Sequence, residues 1–232
     1  MKFVEDEVVY TPEFANRIRG LMRTRRSEKL DGVYAQLDED ERPLFTNLLM
    51  DCGINPLEHL DAIPSYYAYG TSLYKELKVP PNIKSIGDYA FLNAGLIRVY
   101  TGHNIESIGE GAFAANSRLV ELYLDNNGTL KKIGRGGAFS NCSNLEGTII
   151  WNGIEEIDSQ VFEFCTNIKE LRMWPSVKRI GDGAFFGCNK LKVWYYGTIY
   201  QFRQLKLDDT HLTHVNCLLK NGGNDWVLYK LH

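Results

Sequence analysis

Apolar residues recur along most of the chain in a phrase of 22 to 26 residues. The clearest copy, Ile180–Leu191, reads Ile-Gly-Asp-Gly-Ala-Phe-Phe-Gly-Cys-Asn-Lys-Leu. Earlier copies begin at Ile86, Ile108, Ile133 and Ile157, and the repeat phenylalanines lie 22, 26, 23 and 23 residues apart. A fixed period in this range predicts a solenoid, in which each unit buries its apolar face only against its neighbours.

Each copy ends in a segment where apolar and polar residues alternate, as in Leu119–Leu124 and Ile168–Met173. Alternation with a period of two predicts a strand that turns one face inward and the other outward. A degenerate copy that begins at Ile63 brings the total to six. We therefore predict an α+β repeat fold, a solenoid of about six units whose strands stack into one β-sheet.

Helical patterns precede the repeats. Residues 1–10 read as a short strand or arm, and helices are predicted from Thr11–Pro12, after Ser27 and from Pro43. The apolar face of the third helix is predicted to consist of Phe45, Leu48, Leu49 and Cys52. Gly53 is predicted to terminate that helix.

These patterns divide the chain into three parts. Residues 1–62 are predicted to form a small helical N-terminal cap that covers the open first coil of the solenoid. Residues 63–197 hold the repeats, and residues 198–232 are predicted to be a C-terminal capping segment.

The recurring phrase Ile-Gly-x-x-Ala-Phe-x-x-Cys-x-x-Leu resembles the BspA-type leucine-rich repeat, over more than half of the chain. Tyr195–Thr198 and Val215–Cys217 are similar to the way such arrays close. The arrangement as a whole, with Arg42–Phe45 and Asp51–Leu57 ahead of the repeats, resembles uncharacterised leucine-rich repeat proteins of tailed bacteriophages. The resemblance implies a leucine-rich repeat fold, a role in binding or attachment and, for a phage protein, a host factor as partner.

Composition argues against some classes of partner and indicates where in the cell the protein is located. A net charge of −3 lacks the basic excess of a nucleic-acid or anionic-membrane binder. The acidic start has no apolar signal-peptide core, and no apolar run approaches the length of a membrane span. Five cysteines, an odd number, fit reduced thiols. We therefore expect a cytoplasmic protein, in the host cytoplasm if it is viral.

The positions of the cysteines and histidines bear on metal binding and catalysis. Cys142, Cys165 and Cys188 each lie three residues after a repeat phenylalanine, which predicts a column of buried, reduced thiols. The spacing of His211, His214 and Cys217 is a weak candidate for zinc, since no fourth ligand is evident and Cys217 takes an ordinary closing position of the family. We find no catalytic motif, and predict no enzyme, no cofactor and no metal.

A basic cluster in the cap has two interpretations. Its members are Arg17, Arg19, Arg23, Arg25 and Arg26. In the first, the cluster binds phosphate or an acidic partner. In the second, it forms a solvated helix face whose charge is balanced by Asp38–Glu41.

The outward face of the predicted sheet is the candidate binding surface. Counting four residues from each strand leucine or isoleucine gives an outward column of Leu77, Tyr100, Tyr123, Ile149, Arg172 and Tyr195. Trp151 and Trp174 follow at the strand ends. Tyr, Trp and Arg dominate binding hot spots, so a protein partner is predicted to contact Tyr100, Tyr123, Ile149, Trp151, Arg172, Trp174 and Tyr195. A register slip of one residue would bury these side chains instead, and the tail segment Trp226–Tyr229 is an alternative cover for them.

Together these patterns predict a non-enzymatic module that binds an intracellular protein through the sheet face of the solenoid. Two alternatives remain. One is a structural or attachment component of a virion or cell surface. The other places an activity in residues 1–62, with the repeats as a docking arm.

Overall fold

The fold was obtained as a computed structural model, which describes residues 3–4, 7–8, 11–14, 16–18, 30–124, 129–134, 136–146, 149–151, 153–208, 216–221 and 225–230. Most of the described chain is a solenoid whose coils each contribute two short strands. One strand of each coil joins a main sheet, and the other joins a second ladder of two-residue strands. This second ladder is an addition to the single sheet that the sequence predicted.

Short strands and helices precede the solenoid. The strands are β1 (Phe3–Val4) and β2 (Glu7–Val8), which pair antiparallel. Residues 12–14 and 16–18 are helical, and the Thr11 hydroxyl caps this segment by accepting from the Phe14 backbone N–H at 3.2 Å. The helices that follow are α1 (Leu30–Tyr34), α2 (Glu41–Asp51) and a 3₁₀ turn (Pro56–Glu58).

The main sheet has two described segments of parallel strands. The first consists of β3 (Glu76–Lys78), β5 (Arg98–Tyr100) and β7 (Glu121–Tyr123). The second consists of β9 (Ile149–Trp151), β11 (Glu170–Met173), β13 (Lys192–Tyr195) and β15 (Asn216–Asn221), with β16 (Asp225–Lys230) antiparallel at its end. Because β16 extends the edge of the sheet, the backbone of Trp226–Tyr229 does not lie across the sheet face as the alternative interpretation required.

The second ladder contains the isoleucine that opens each repeat phrase. Its strands are β4 (Ser85–Ile86), β6 (Ser107–Ile108), β8 (Lys132–Ile133), β10 (Glu156–Ile157), β12 (Arg179–Ile180) and β14 (Lys206–Leu207). The glycine after this isoleucine allows adjacent coils to approach closely. A Cβ on Gly87 would lie 2.4 Å from the Ser65 backbone nitrogen, and one on Gly181 would lie 2.5 Å from that of Ser159.

A continuous stack of phenylalanines fills the interior between the two ladders. Phe91, Phe113, Phe139, Phe162 and Phe185 are buried, and consecutive rings are nearly parallel, with centres 5.1 to 5.6 Å apart. The one-per-unit spacing in sequence therefore becomes one aromatic column in space. Offset aromatic packing of this kind adds to the stabilisation that burial alone provides.

The buried thiols lie beside this column. Cys142, Cys165 and Cys188 are free, and each Sγ donates to the carbonyl oxygen of a phenylalanine one coil earlier, at 3.1 to 3.3 Å. The prediction of buried cysteines in one column is therefore confirmed, and their reduced state in the cell stays a prediction. Asn116 takes the same position in its own coil, with its amide nitrogen 2.8 Å from the Phe91 carbonyl oxygen.

The cap continues the aromatic interior at the open end of the first coil. The Tyr34 ring centre lies 5.6 Å from that of Tyr67 and 5.1 Å from that of Phe45, and all three side chains are buried. The helix predicted from Pro43 begins two residues earlier, at Glu41. Cys52 is exposed rather than part of the apolar face, because it follows the last helical residue.

Arg17 belongs to the basic cluster identified in the sequence, and its guanidinium forms an ion pair with Glu41. This contact favours the balanced, solvated interpretation for Arg17. Arg19, Arg23, Arg25 and Arg26 lie outside the described residues.

Candidate binding surface

The alternation along each strand of the main sheet decides which side chains reach solvent. In β3, β5 and β7 the middle residues, Leu77, Val99 and Leu122, are buried. The residues that follow them lie side by side in register on the outward face, as Lys78, Tyr100 and Tyr123. This places two of the predicted binding residues, Tyr100 and Tyr123, next to each other.

These two tyrosines form the best-defined aromatic feature of the outward face. Their rings are parallel within 2°, with centres 4.8 Å apart, and Tyr123 is 51% exposed. The Lys78 ammonium nitrogen lies 5.8 Å from the centre of the Tyr100 ring, within the range of a cation–π interaction. The three side chains thus form a continuous stack across three coils.

Charged residues line the same strands two positions earlier. Arg98 lies between two carboxylates, with Nη1 3.9 Å from Glu76 and Nε 3.3 Å from Glu121. The Lys78 ammonium approaches Glu76 at 2.8 Å. The Glu121 carboxylate, the main cause, raises the pKa of the Tyr123 phenol. The first segment therefore pairs a balanced row of charges with an exposed aromatic row.

The second segment continues the outward row with different chemistry. Arg172 in β11 is half-buried and lies in register with Trp194 in β13. The Arg172 guanidinium is 3.6 Å from the Glu170 carboxylate. Beyond the strand ends, Trp174 stacks on Tyr196 with ring centres 4.9 Å apart. Arg172 and Trp174 therefore contact different neighbours, and their part in binding a partner stays a prediction.

Three members of the predicted outward column were misplaced. Leu77 and Tyr195 are buried, and Ile149 is in register with the buried Leu171. The cause is the strand spacing: paired residues are 22 positions apart from Lys78 to Tyr100 and from Ile150 through Arg172 to Trp194, one fewer than the leucine count assumes. A shift of one residue exchanges the two faces of a strand. By register, the outward row is Lys78, Tyr100 and Tyr123 in the first segment, and Ile150, Arg172 and Trp194 in the second.

Two of the predicted binding residues, Tyr195 and Trp151, lie at inward positions of the sheet. The Tyr195 ring packs edge-on against Phe202 of helix α3 (Ile199–Arg203), with centres 5.1 Å apart. Trp151 is in register with the buried Met173, an inward position, and its side chain lies outside the described part. Lys78 and Trp194 were missed, since only strand pairing reveals the one-residue shifts.

The weak zinc candidate falls mostly outside the described residues. His211 and His214 are not among them, and of Cys217 only the backbone, paired with Val193, is described. Within the described ranges, no group of three or more His, Cys, Asp or Glu side chains is arranged to hold a metal ion. The absence of a metal therefore stays a prediction, as does the absence of a cofactor.

Parallel strands stacked once per repeat around a shared aromatic interior define a leucine-rich repeat solenoid. The family model described as "BspA type Leucine rich repeat region" matches residues 61–192 in 6 copies. The chain belongs to this family, and the resemblance found in the sequence is confirmed. Such repeat folds typically act as non-enzymatic scaffolds that bind proteins.

The chain is similar to solved structures of bacterial leucine rich proteins. A leucine rich cell surface protein from Faecalibacterium prausnitzii A2-165 is 25% identical over 57% of this chain, with a TM-score of 0.53. This chain spans only 35% of the length of that protein. A leucine rich repeat protein of T. pallidum is 24% identical over 67% of this chain and 77% of its own, with a TM-score of 0.49. No curated protein matches the chain significantly.

Proposed function

We propose that this protein is a non-enzymatic binding module that captures an intracellular protein, in a phage setting a host protein, on the outward face of its main sheet. The observation that carries the proposal is the stack of the exposed Tyr123 ring on the half-buried Tyr100 ring, on an otherwise charged face. Arg172, Trp194 and Trp174 extend the surface along the second segment.

The arrangement suits protein recognition for a physical reason. Rings held parallel by the repeat lose little conformational freedom when a partner covers them, so more of the contact energy appears as affinity. Tyr, Trp and Arg are also the residues that most often dominate interface energetics. The charged row of Glu76, Arg98 and Glu121 then favours partners whose charges complement it.

A pull-down with the intact tagged chain from host lysate, followed by mass spectrometry, tests the proposal. The informative variant is Tyr123→Ala/Arg172→Ala, which removes two outward side chains and leaves the inward face intact. The matched control is Tyr200→Ala, since Tyr200 is 71% exposed but belongs to helix α3 and not to the sheet. We expect one stoichiometric partner that binds the wild-type chain and the control and is lost with the double variant.

The partner is then purified and titrated against the same three proteins. A loss of affinity of about tenfold or more in the double variant alone, with an unchanged melting transition, agrees with hot-spot truncation. Equal affinity of the partner for all three proteins would show that it does not bind through Tyr123 and Arg172 on the sheet face. Unfolding of the double variant would show that these side chains serve the fold.

A second candidate function is attachment at a cell or particle surface. It is favoured by the similarity to the F. prausnitzii protein, which is described as a cell surface protein. Among the described residues, no helix is long and apolar enough to cross a membrane. Immunodetection of the native protein in cytoplasmic, envelope and purified-particle fractions distinguishes the two functions. Recovery in envelopes or particles supports attachment, and recovery only in the cytoplasm supports intracellular capture.

A further inference from the structure

A surface cavity of about 260 Å³ lies where the cap meets the first two coils. It is lined by Glu39, Asp40, Tyr66, Tyr69, Tyr89 and Leu92. The Tyr66 ring centre lies 5.3 Å from that of Tyr89 and 6.0 Å from that of Tyr69. None of these residues belongs to the main sheet, so the cavity is separate from the proposed binding face.

The charges around the cavity are unbalanced. Glu39 and Asp40 line it, and Asp88 and Glu110 flank the tyrosines closely enough to raise the pKa of Tyr66 after the larger effect of desolvation. In the described part of the chain, no Lys or Arg side chain lies within salt-bridge distance of these four carboxylates. The Arg42 guanidinium instead donates at 3.1 Å to the backbone carbonyl oxygens of Tyr34 and Ser65.

Several carboxylates elsewhere on the solenoid, unlike these four, are paired with basic side chains. On the second ladder, Glu155 and Glu156 each contact two basic side chains. On the main sheet, Glu121 contacts Arg98. The cavity is therefore a local concentration of negative charge beside one exposed tyrosine ring, Tyr69, and two half-buried ones, Tyr66 and Tyr89.

Two of the three tyrosines occupy a left-handed backbone position that recurs in the repeat. Tyr66 and Tyr89 have φ values of 58° and 55°, a left-handed conformation that side chains with a Cβ rarely adopt. The equivalent positions of three later coils hold Gly111, Gly137 and Gly183, at φ values of 53°, 71° and 63°. A fourth later coil holds Gln160 there, at 60°, so the left-handed conformation belongs to the repeat. The first two coils differ in presenting a tyrosine ring from this position.

The next coil provides room for one of these rings. A Cβ added to Gly111 would lie 2.6 Å from the Tyr89 ring, so the ring occupies the space that a side chain there would take. The Tyr89 phenol donates to the Glu110 carboxylate, which raises the pKa of Tyr89 to about 12. The ring is therefore held in place and stays neutral at neutral pH.

We propose that this cavity binds the guanidinium group of an arginine side chain presented by a protein partner. A guanidinium is planar, stacks on aromatic faces and forms paired hydrogen bonds with a carboxylate. The tyrosine rings supply the faces, and Glu39 and Asp40 supply acceptors. A lysine ammonium is a compact, strongly hydrated charge and matches the ring faces less well.

The test uses the intact chain with N-acetyl-arginine amide as the probe. N-acetyl-citrulline amide is its neutral near-isostere, and N-acetyl-lysine amide carries the same charge without the planar group. Tyrosine ring resonances are followed by NMR during titration at low ionic strength. We expect a saturable shift of the cavity tyrosines with the arginine probe, and binding weaker by about threefold or more with each of the other two, in the range of cation–π and charge-assisted contacts.

Two variants locate the site. Tyr66→Gly/Tyr89→Gly removes two rings while giving each left-handed position the residue that suits it. Its control is Gln160→Gly, a glycine substitution at the equivalent left-handed position of a later coil, where φ is 60°. We expect the double variant to lose the arginine response and the control to keep it.

The charge variant is Glu39→Gln/Asp40→Asn, with Glu106→Gln as its control because Glu106 is also exposed and lies outside the cavity. We expect weaker arginine binding only in the double variant. Both of its positions are exposed, so this arm decides the question even if the tyrosine variant fails to fold. The proposal is overturned by a missing arginine response, by an equal response to citrulline or lysine, or by unchanged binding in the folded variants.

Discussion

The rings of Tyr34 and Tyr67 lie 5.6 Å apart, and this contact joins the helical cap to the first coil of the solenoid. The Thr46 hydroxyl strengthens the junction, since it lies 2.7 Å from both the Tyr34 phenol and the Tyr67 carbonyl oxygen. Terminal coils of a repeat protein need such a cover because their apolar face has no neighbouring repeat.

The first prediction is that Phe45→Ala, at the centre of this junction, destabilises the whole chain. Phe45 is fully buried against Tyr34, so we expect a loss of about 3–5 kcal/mol in the free energy of unfolding. Urea unfolding followed by circular dichroism measures it, with Ile54→Ala, at a 38% exposed cap position, as control. A loss no larger than that of the control would show that the cap contributes little to stability.

A second prediction concerns Asn116, which replaces cysteine in its column. Its side chain accepts from the Leu96 N–H at 3.0 Å and donates to two phenylalanine carbonyls, all in the buried interior. Asn116→Ala leaves the buried Leu96 N–H without its acceptor and removes one donor from each phenylalanine carbonyl, and we expect a cost of about 1–3 kcal/mol. Asn116→Cys should cost less, because a thiol there can repeat the contact that Cys142 makes with Phe113. Thermal unfolding compares the two; equal losses would exclude rescue by the thiol.

A third prediction is that stability falls at alkaline pH. Burial raises the pKa of the Cys165 thiol and of the Tyr34 and Tyr67 phenols. The unfolded chain releases these protons at their ordinary values, about 8.5 for Cys and 10 for Tyr, while the folded chain keeps them. The stabilisation is therefore fully present below pH 8 and declines above it.

Urea unfolding between about pH 7 and 11 tests this, with a slope of up to about 1.4 kcal/mol per pH unit for each group. The control is Cys165→Ala, which should flatten the first part of the decline. A free energy of unfolding that stays level across this range would contradict the assignment.

The fourth prediction concerns the ion pairs of the second ladder. Glu156 lies between two cations: it is 3.2 Å from the Lys132 ammonium and also pairs with Arg179. These side chains are partly exposed, so Glu156→Gln should cost only about 0.5–1 kcal/mol. The difference from wild type should shrink in about 1 M NaCl, which screens such charges. A cost that does not change with salt would mean that hydrogen bonding, not charge, stabilises this row.

Much of the architecture could be predicted from local pattern. The spacing of Phe91, Phe113, Phe139, Phe162 and Phe185 predicted the repeat period and the solenoid, and in the structure these side chains are buried. The thiol column was predicted because each of its cysteines lies three residues after a repeat phenylalanine. These features are recoverable because each repeat packs the same positions against its neighbours, so one sequence period maps to one spatial step.

Strand pairing between coils decided which side chains face outward and which face the interior. Tyr195 and Leu77 face the interior, and Trp194 and Lys78 take the outward row, because the paired strands there are spaced one residue closer than the leucine count assumes, and a shift of one residue exchanges the faces of a strand. The cavity of Tyr66, Tyr69 and Tyr89 likewise forms only when the cap carboxylates of Glu39 and Asp40 meet the first two coils. The sequence alone thus determined the repeat, its core and its class, since these depend on local periodicity. Tertiary structure decided which side chains meet at the surface, since that depends on register between units.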